Sequence, residues 1–155
     1  MAKKRSLISF TDEEAQAYLE AGHNLMVASN GHNGWPHLIA MWYVLIDGTI
    51  HFTTYGKSQK ILNLKRDPRV TCMLEGGLQY QELQGLVIEA EADVIDDDPA
   101  LSLRVIQAVG AKYQGSPLGT ASSEQQEKMA TKRAVVRIRP LRIFSWDHTK
   151  LGGAY

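Results

Sequence analysis

The spacing of hydrophobic residues changes several times along the chain, and each change marks an element. Thr11-Asp12-Glu13-Glu14 is a capping box, in which the Thr hydroxyl and the Glu carboxylate three residues on each satisfy an orphan amide. It predicts a short helix over 12–21, stopped by Gly22. A short apolar strand over 24–29 follows, and then Asn30-Gly31-His32-Asn33-Gly34, a turn built from residues that tolerate positive φ. Pro36 opens an apolar run over 37–46 that includes Met41-Trp42-Tyr43-Val44. Its length and bulk predict one strand buried on most of both faces. Asp47-Gly48 is a strong hairpin signal, with 49–54 as the returning strand.

Residues 58–66 predict a helix with Ile61, Leu62 and Leu64 as its apolar positions, ended by Asp67-Pro68. A strand over 69–75 and a Gly76-Gly77 turn lead into a strand over 80–95. There Ile88, Ala90, Ala92 and Val94 alternate with Glu89, Glu91 and Asp93, which leaves one wet face. Gly85 within it signals a bulge or a close backbone approach. A helix from Asp97/Asp98-Pro99 to about Tyr113 comes next, followed by a small-residue loop over 115–123 and a turn or two of helix over 124–129. The last strand spans 133–146, with Val136, Ile138 and Phe144 on one side, Arg137 and Arg139 on the other, and an irregularity at Pro140. Tight turns between strands imply antiparallel pairing. The expected architecture is one small antiparallel barrel over the whole chain, with helices outside it.

Composition narrows the function classes. The 155 residues suit one domain, and 44% hydrophobic content suffices for a real core. Seventeen basic residues balance 17 acidic ones, which argues against a general nucleic-acid binder. No apolar run reaches membrane-spanning length, and the basic start is not followed by the apolar stretch of a secretory signal. Cys72 is the single cysteine. It implies no internal disulfide, and the expectation is a cytoplasmic protein.

Few residues invite catalysis. The five histidines are scattered, and only His37 and His51, on neighbouring predicted strands, have a prospect of meeting. No metal set and no nucleophile motif is evident, and Cys72 sits in an apolar strand as a small hydrophobe. Asp96-Asp97-Asp98 suits a helix start, where carboxylates favour the dipole. The informative stretch is Tyr55-Gly56-Lys57-Ser58-Gln59-Lys60. Ser58 is the expected N-cap, and Lys57 and Lys60 flank a first turn whose dipole they oppose. A phosphate on the free amides reverses that sign; the alternative is a solvated basic face.

The order Gly34-Trp35-Pro36-His37, Met41-Trp42-Tyr43, Asp47-Gly48, Phe52-Thr53-Thr54 and Ser58-x-Lys60-x-x-Asn63-Leu64-x-Arg66-Asp67-Pro68-Arg69-Val70 resembles the pyridoxamine 5'-phosphate oxidase-like superfamily. Within it, the chain is similar to the flavin/deazaflavin oxidoreductase B group, from about Thr11 to the C-terminus. The resemblance implies a six-stranded split β-barrel that forms a homodimer, with flavin-type cofactors in clefts between subunits. It places the cofactor phosphate on Lys57, Ser58 and Lys60, with Asn63 bracing that loop. Met41, Trp42, Tyr43, Phe52, Thr53 and Thr54 line the strand beneath the ring system. Tyr80 to Gly85 and Trp146 are the expected contributions of the second subunit. The chain lacks the C-terminal Arg-x-His clamp of true pyridoxamine phosphate oxidases, having Trp146-Asp147-His148 there, so vitamin B6 oxidation is not expected. Ala40 stands where the group often has Pro before Met-Trp.

The B group includes users of coenzyme F-420 and of FMN. Lys57, Lys60, Lys65, Arg66 and Arg69 exceed what one phosphate needs and favour the more anionic F-420, unless Arg66 and Arg69 pair with Asp67 or Glu75. The expected activity is hydride transfer from F-420 to a small organic substrate. The alternatives are an FMN-dependent oxidoreductase of the same fold and a flavin- or haem-binding module without turnover.

Overall fold

The computed structural model describes residues 2–152. Helices α1 (Ala2–Ile8) and α2 (Asp12–Ala21) precede strands β1 (Leu25–Asn30), β2 (Pro36–Met41), β3 (Val44–Ile46) and β4 (Thr49–Tyr55). Helix α3 (Gln59–Arg66), β5 (Arg69–Gly76) and β6 (Gln84–Ile95) follow. Then come α4 (Pro99–Lys112), α5 (Pro117–Thr120), α6 (Ser123–Ala130) and β7 (Arg133–Asp147). Local signals place most of these elements. The Thr11 capping box is formed on both sides, with Thr11 N donating to Glu14 at 2.8 Å. Asp47 and Gly48 both take positive φ, 51° and 76°, as a two-residue hairpin turn matched to strand twist requires. Asp98 caps α4 by accepting from Leu101 N at 2.9 Å.

The seven strands form one antiparallel sheet in the order β2-β1-β5-β6-β7-β4-β3. β2 and β3 are consecutive in the chain yet stand at opposite ends of that order. The two sheet edges are therefore drawn together at Trp42-Tyr43, and the sheet curls into a split barrel. This corrects the expectation of six strands and of one buried strand over 37–46. The run breaks at Trp42-Tyr43, and β2 is largely exposed because it pairs only with β1 on its inner side.

The break leaves the backbone of Tyr43 outside any ladder, and a buried peptide group needs a partner. Tyr113, at the end of α4, supplies it. Its hydroxyl accepts from Tyr43 N at 3.1 Å, lies 3.1 Å from Tyr43 O and donates to His23 O at 2.7 Å. The Tyr43 hydroxyl donates to Leu19 O, and burial pushes its pKa well up. Trp42 turns outward and stacks on the Tyr113 ring, 4.7 Å between centroids.

Two clusters fill the molecule. One lies inside the curl, where Leu25, Val27, Phe52, Cys72, Leu86, Ile88, Val136 and Ile138 meet Ile61 and Leu64 of α3. The other lies outside, where Val105 and Val109 of α4 and Tyr113 just after it cover Val44, Ile46 and Val135. β6 alternates as expected, but its first residues do not: Tyr80–Glu82 form a 3-10 turn, and the strand begins at Gln84. Opposite Glu89/Ala90 the register shifts across Pro140–Arg142. That extra residue reverses the facing of β7 beyond it. Phe144, paired with Val87, therefore leaves the Val136–Ile138 face, 42% exposed, which corrects its expected placement. Gly85 is a close approach: a Cβ there would sit 2.0 Å from the Trp146 ring. The pattern gave no sign of α1 or of α5. The segment after α1 is tied down by Phe10 N donating to Ser145 Oγ at 2.8 Å.

Replacing Tyr113 with Phe keeps the ring stack but strips Tyr43 of its buried partner. The expected cost is about 1–3 kcal/mol, read from the urea midpoint of unfolding. An unchanged midpoint would show that the seam does not depend on that hydroxyl.

Candidate functional site

The seam creates a cleft of about 290 Å³ lined by Asn24, Ala40, Met41, Trp42, Thr53, Val109, Leu118 and Arg133. β3 begins at Val44, opposite His51, so residues 52–55 of β4 have no β3 neighbour on that side. The cleft thus runs along an open strand edge, flanked by the apolar Met41 and Trp42.

The phosphate-type motif lies at the end of the same strand. Lys60, in the first turn of α3, donates to Thr54 Oγ1 at 3.2 Å. Burial, and then the positive Arg133, lower its pKa. Arg133 donates from Nε to Thr53 Oγ1 at 3.3 Å and from Nη2 to Thr53 O at 3.0 Å. Its own pKa is lowered by burial. Ser58 takes the extended N-cap conformation, yet its side chain makes no cap bond and its Oγ is buried without a partner. This corrects the expectation of a capping hydroxyl. An orphaned Oγ beside first-turn amides free of intrahelical partners is a donor set that fits an oxyanion. Lys57 is exposed at the same loop.

Asn63 is fully buried and braces this end. Its Nδ2 donates to Ser29 Oγ at 3.1 Å, and its Oδ1 accepts from Gln59 at 2.8 Å and Arg66 at 3.3 Å. That fixes α3 to β1. The remaining cations of the motif are engaged elsewhere: Lys65 with Asp96, Arg66 with Asn30 O, and Arg69 with Asp67 at 2.7 Å. Arg69 and the Asn30 amide hold the Asp67 carboxyl well below its ordinary range. The surplus of charge expected to favour a longer anionic ligand is therefore consumed within the chain.

The predicted residues fall into three groups. Met41, Trp42 and Thr53 line the cleft, while Thr54, Lys57, Ser58, Lys60 and Asn63 lie outside its lining, where β4 runs into α3. Tyr43 and Phe52 point into the core at 0% exposure, leaving only their backbones for a ligand. Tyr80 and Trp146 lie elsewhere. Trp146 pairs with Gly85 at the opposite end of β7 from Arg133, and Tyr80 packs on His148 with ring centroids 4.6 Å apart. Within one chain they do not join the cleft. Arg133 was missed, because nothing local distinguishes it from the other arginines of its strand. The His37–His51 encounter does not form, since β2 and β4 are not neighbours, and no metal-ligand cluster is present among the described residues. Cys72 is buried, with its thiol pushed up to about 12. No helix among the described residues is long and apolar enough to cross a membrane.

Comparisons with known proteins agree with this architecture. The sequence profile described as pyridoxamine 5'-phosphate oxidase matches residues 11–147. The crystal structure of the conserved hypothetical protein Rv2991 from Mycobacterium tuberculosis superimposes with a TM-score of 0.87 at 38% identity, covering 97% of this chain and 93% of that one. An F420 reductase superimposes with a TM-score of 0.64 at 21% identity, covering 83% of this chain and 94% of the other. An FAD-binding protein from Mesorhizobium loti gives 0.64 at 14% identity, covering 88% and 93%. At those identities the last two show the shared fold alone. No curated protein sequence matches the chain.

Lys60 opposes both the α3 dipole and Arg133. Lys60→Ala is expected to leave the thermal midpoint of the ligand-free protein unchanged or raised, most clearly at low ionic strength. A lowered midpoint would show that the Thr54 contact outweighs the repulsion.

Proposed function

The chain belongs to the pyridoxamine 5'-phosphate oxidase family, and from that premise we propose that it is an oxidoreductase that binds coenzyme F-420 in the seam cleft. The observation that carries this reading is that Arg133, in the cleft lining, and Lys60 hold the adjacent residues Thr53 and Thr54 of β4, with an orphaned Ser58 Oγ at the N-cap of the helix that carries Lys60. The cofactor, when bound, supplies hydride transfer to a small organic substrate. Lys57, Ser58 and Lys60 hold its phosphate, and Asn63 keeps α3 in place against β1. The open edge of β4 offers backbone groups to the ring system, while Met41 and Trp42 exclude water from one side. The chain needs no nucleophile for this work, which agrees with the inert, buried Cys72.

A second reading, FMN in the same cleft, is favoured by one observation. Lys65, Arg66 and Arg69 are already engaged, which leaves few cations around the start of α3 and so suits a ligand with a single phosphate.

The working unit in this proposal is a homodimer. Trp35, Leu38, Leu141 and Ile143 are large apolar side chains between 48% and 75% exposed. Pro36 at the start of β2 and Leu141 at the bulge of β7 line one shared depression. Ser29, Asn30, Arg69, Thr71 and Glu89 line the same depression, so the exposed apolar side chains flank a polar floor, and a two-fold partner is what would cover them. In such a pair, Tyr80 and Trp146 are the residues offered to the neighbour's cleft.

Titration of the purified protein with F-420 and with FMN, followed by absorbance and fluorescence, tests the cofactor. Saturable binding of F-420 in preference to FMN is expected, and Lys60→Ala should weaken it by about tenfold to a hundredfold. Light scattering should return about twice the 17.3 kDa chain mass. Failure to bind either compound would overturn the cofactor reading, and a monomer at micromolar concentration would overturn the shared site.

A further inference from the structure

We propose that Arg133 is a second cation of the anion seat, so that its guanidinium and the Lys60 ammonium hold one phosphate between them at the open edge of β4. The inference rests on the reading above that the cleft takes a phosphorylated flavin-type cofactor. Arg133 is the first residue of β7 and pairs with Tyr55 across the ladder. Its side chain reaches over the strand to Thr53, while Lys60 reaches the next residue, Thr54. Successive strand residues face opposite sides, so the two cations approach the same stretch of β4 from its two faces. Arg133 also lines the cleft wall, which Lys60 does not.

The partners of the two cations set them apart. Most cations on the sheet face carboxylates: Arg137 and Arg139 share Asp93 at 3.0 Å, and Arg142 lies 3.9 Å from Glu89. Lys60 and Arg133 are half-buried, and among the described residues each has only hydroxyl or carbonyl oxygens as partners. Lys112 is also half-buried without a carboxylate, but its ammonium rests 4.0 Å over the Tyr43 ring. Two like charges converging in partly dry surroundings disfavour each other until an anion joins them. Thr53 uses Nε and one Nη2 proton of Arg133. The remaining guanidinium protons have no protein acceptor among the described residues, and that fork is suited to a phosphate. The orphaned Ser58 Oγ, at the N-cap two residues before Lys60, adds a neutral donor.

A merely structural Arg133, one that only covers the free Thr53 carbonyl, is the competing account. The two separate when each phosphorylated chromophore is compared with its phosphate-free parent: FMN with riboflavin, and F-420 with the ribityl deazaflavin that lacks the phosphate. In Arg133→Gln, affinity for the phosphorylated member is expected to fall tenfold or more, with the parent within twofold. The salt dependence of binding should flatten at the same time. Equal losses for both members, or an unchanged affinity for the phosphorylated one, overturn the proposal.

Should Arg133→Gln fail to fold, Arg133→Lys keeps the charge but not the fork. It is expected to lose three- to tenfold for the phosphorylated member alone, and no loss overturns the proposal. Inorganic pyrophosphate separates this inference from the cofactor reading. Thermal stabilisation of the wild type but not of Arg133→Gln, with no chromophore bound by either, keeps the anion seat and rejects the flavin-type cofactor. Absence of binding by chromophores and pyrophosphate alike rejects both.

Discussion

The structure depends on one constraint: β2 and β3 are joined by only Trp42 and Tyr43, yet they occupy opposite edges of a seven-stranded sheet. Two residues span a few ångströms, so the edges must meet and the sheet must curl. Curling creates an interior for the aliphatic side chains of β1, β5, β6 and β7, and it leaves a split where ladder bonds cannot continue. The Tyr113 hydroxyl satisfies the peptide groups stranded in that split, which makes α4 part of the closure and not only a cover. Without such a partner the seam would leave buried polar groups unpaired, at a cost comparable to a lost hydrogen bond for each.

The same split supplies the candidate site. Because β3 is so short, β4 presents an unpaired edge over residues 52–55 just where Trp42 has turned outward onto Tyr113. An open strand edge is normally covered or charged. Here Arg133 covers the Thr53 carbonyl, and Lys60 holds the neighbouring Thr54 hydroxyl. Closure and cleft are therefore consequences of one break in the chain, and a ligand that seals the edge would complete what the ladder leaves unfinished.

Charge placement follows the same economy. Across β6 and β7, arginines and carboxylates face one another on the wet side, exposed enough that each pair adds little to stability. Around α3, Lys65, Arg66 and Arg69 are drawn to Asp96, Asn30 and Asp67, which anchors the helix and the entry to β5. Counting cations in the sequence overstated what remains for a ligand. The count treats every positive charge as free, whereas a folded chain pairs most of them.

Much of the fold was legible because its signals are local. The Thr11 capping box, the Asp47-Gly48 turn, the alternation of β6 and the arrest of α3 at Asp67-Pro68 act over a few residues, and each formed as the pattern required. The motif from Lys57 to Asn63 spans the turn into α3 and that helix's first turns. Tertiary structure alone decided the rest. The run over 37–46 looked continuous, because nothing in its composition says that its halves pair with different strands. Tyr43 and Phe52 read as lining residues, but the curl turned them inward. Phe144 changed sides because one extra residue at Leu141 shifts the register against a strand some fifty positions away. Arg133 carries no local mark, and its place beside Lys60 exists only once β7 lies against β4. A sequence specifies its caps, turns and periodicities by near-neighbour contacts. Which edges meet, and which charges are left without a partner, is settled only when distant strands pair.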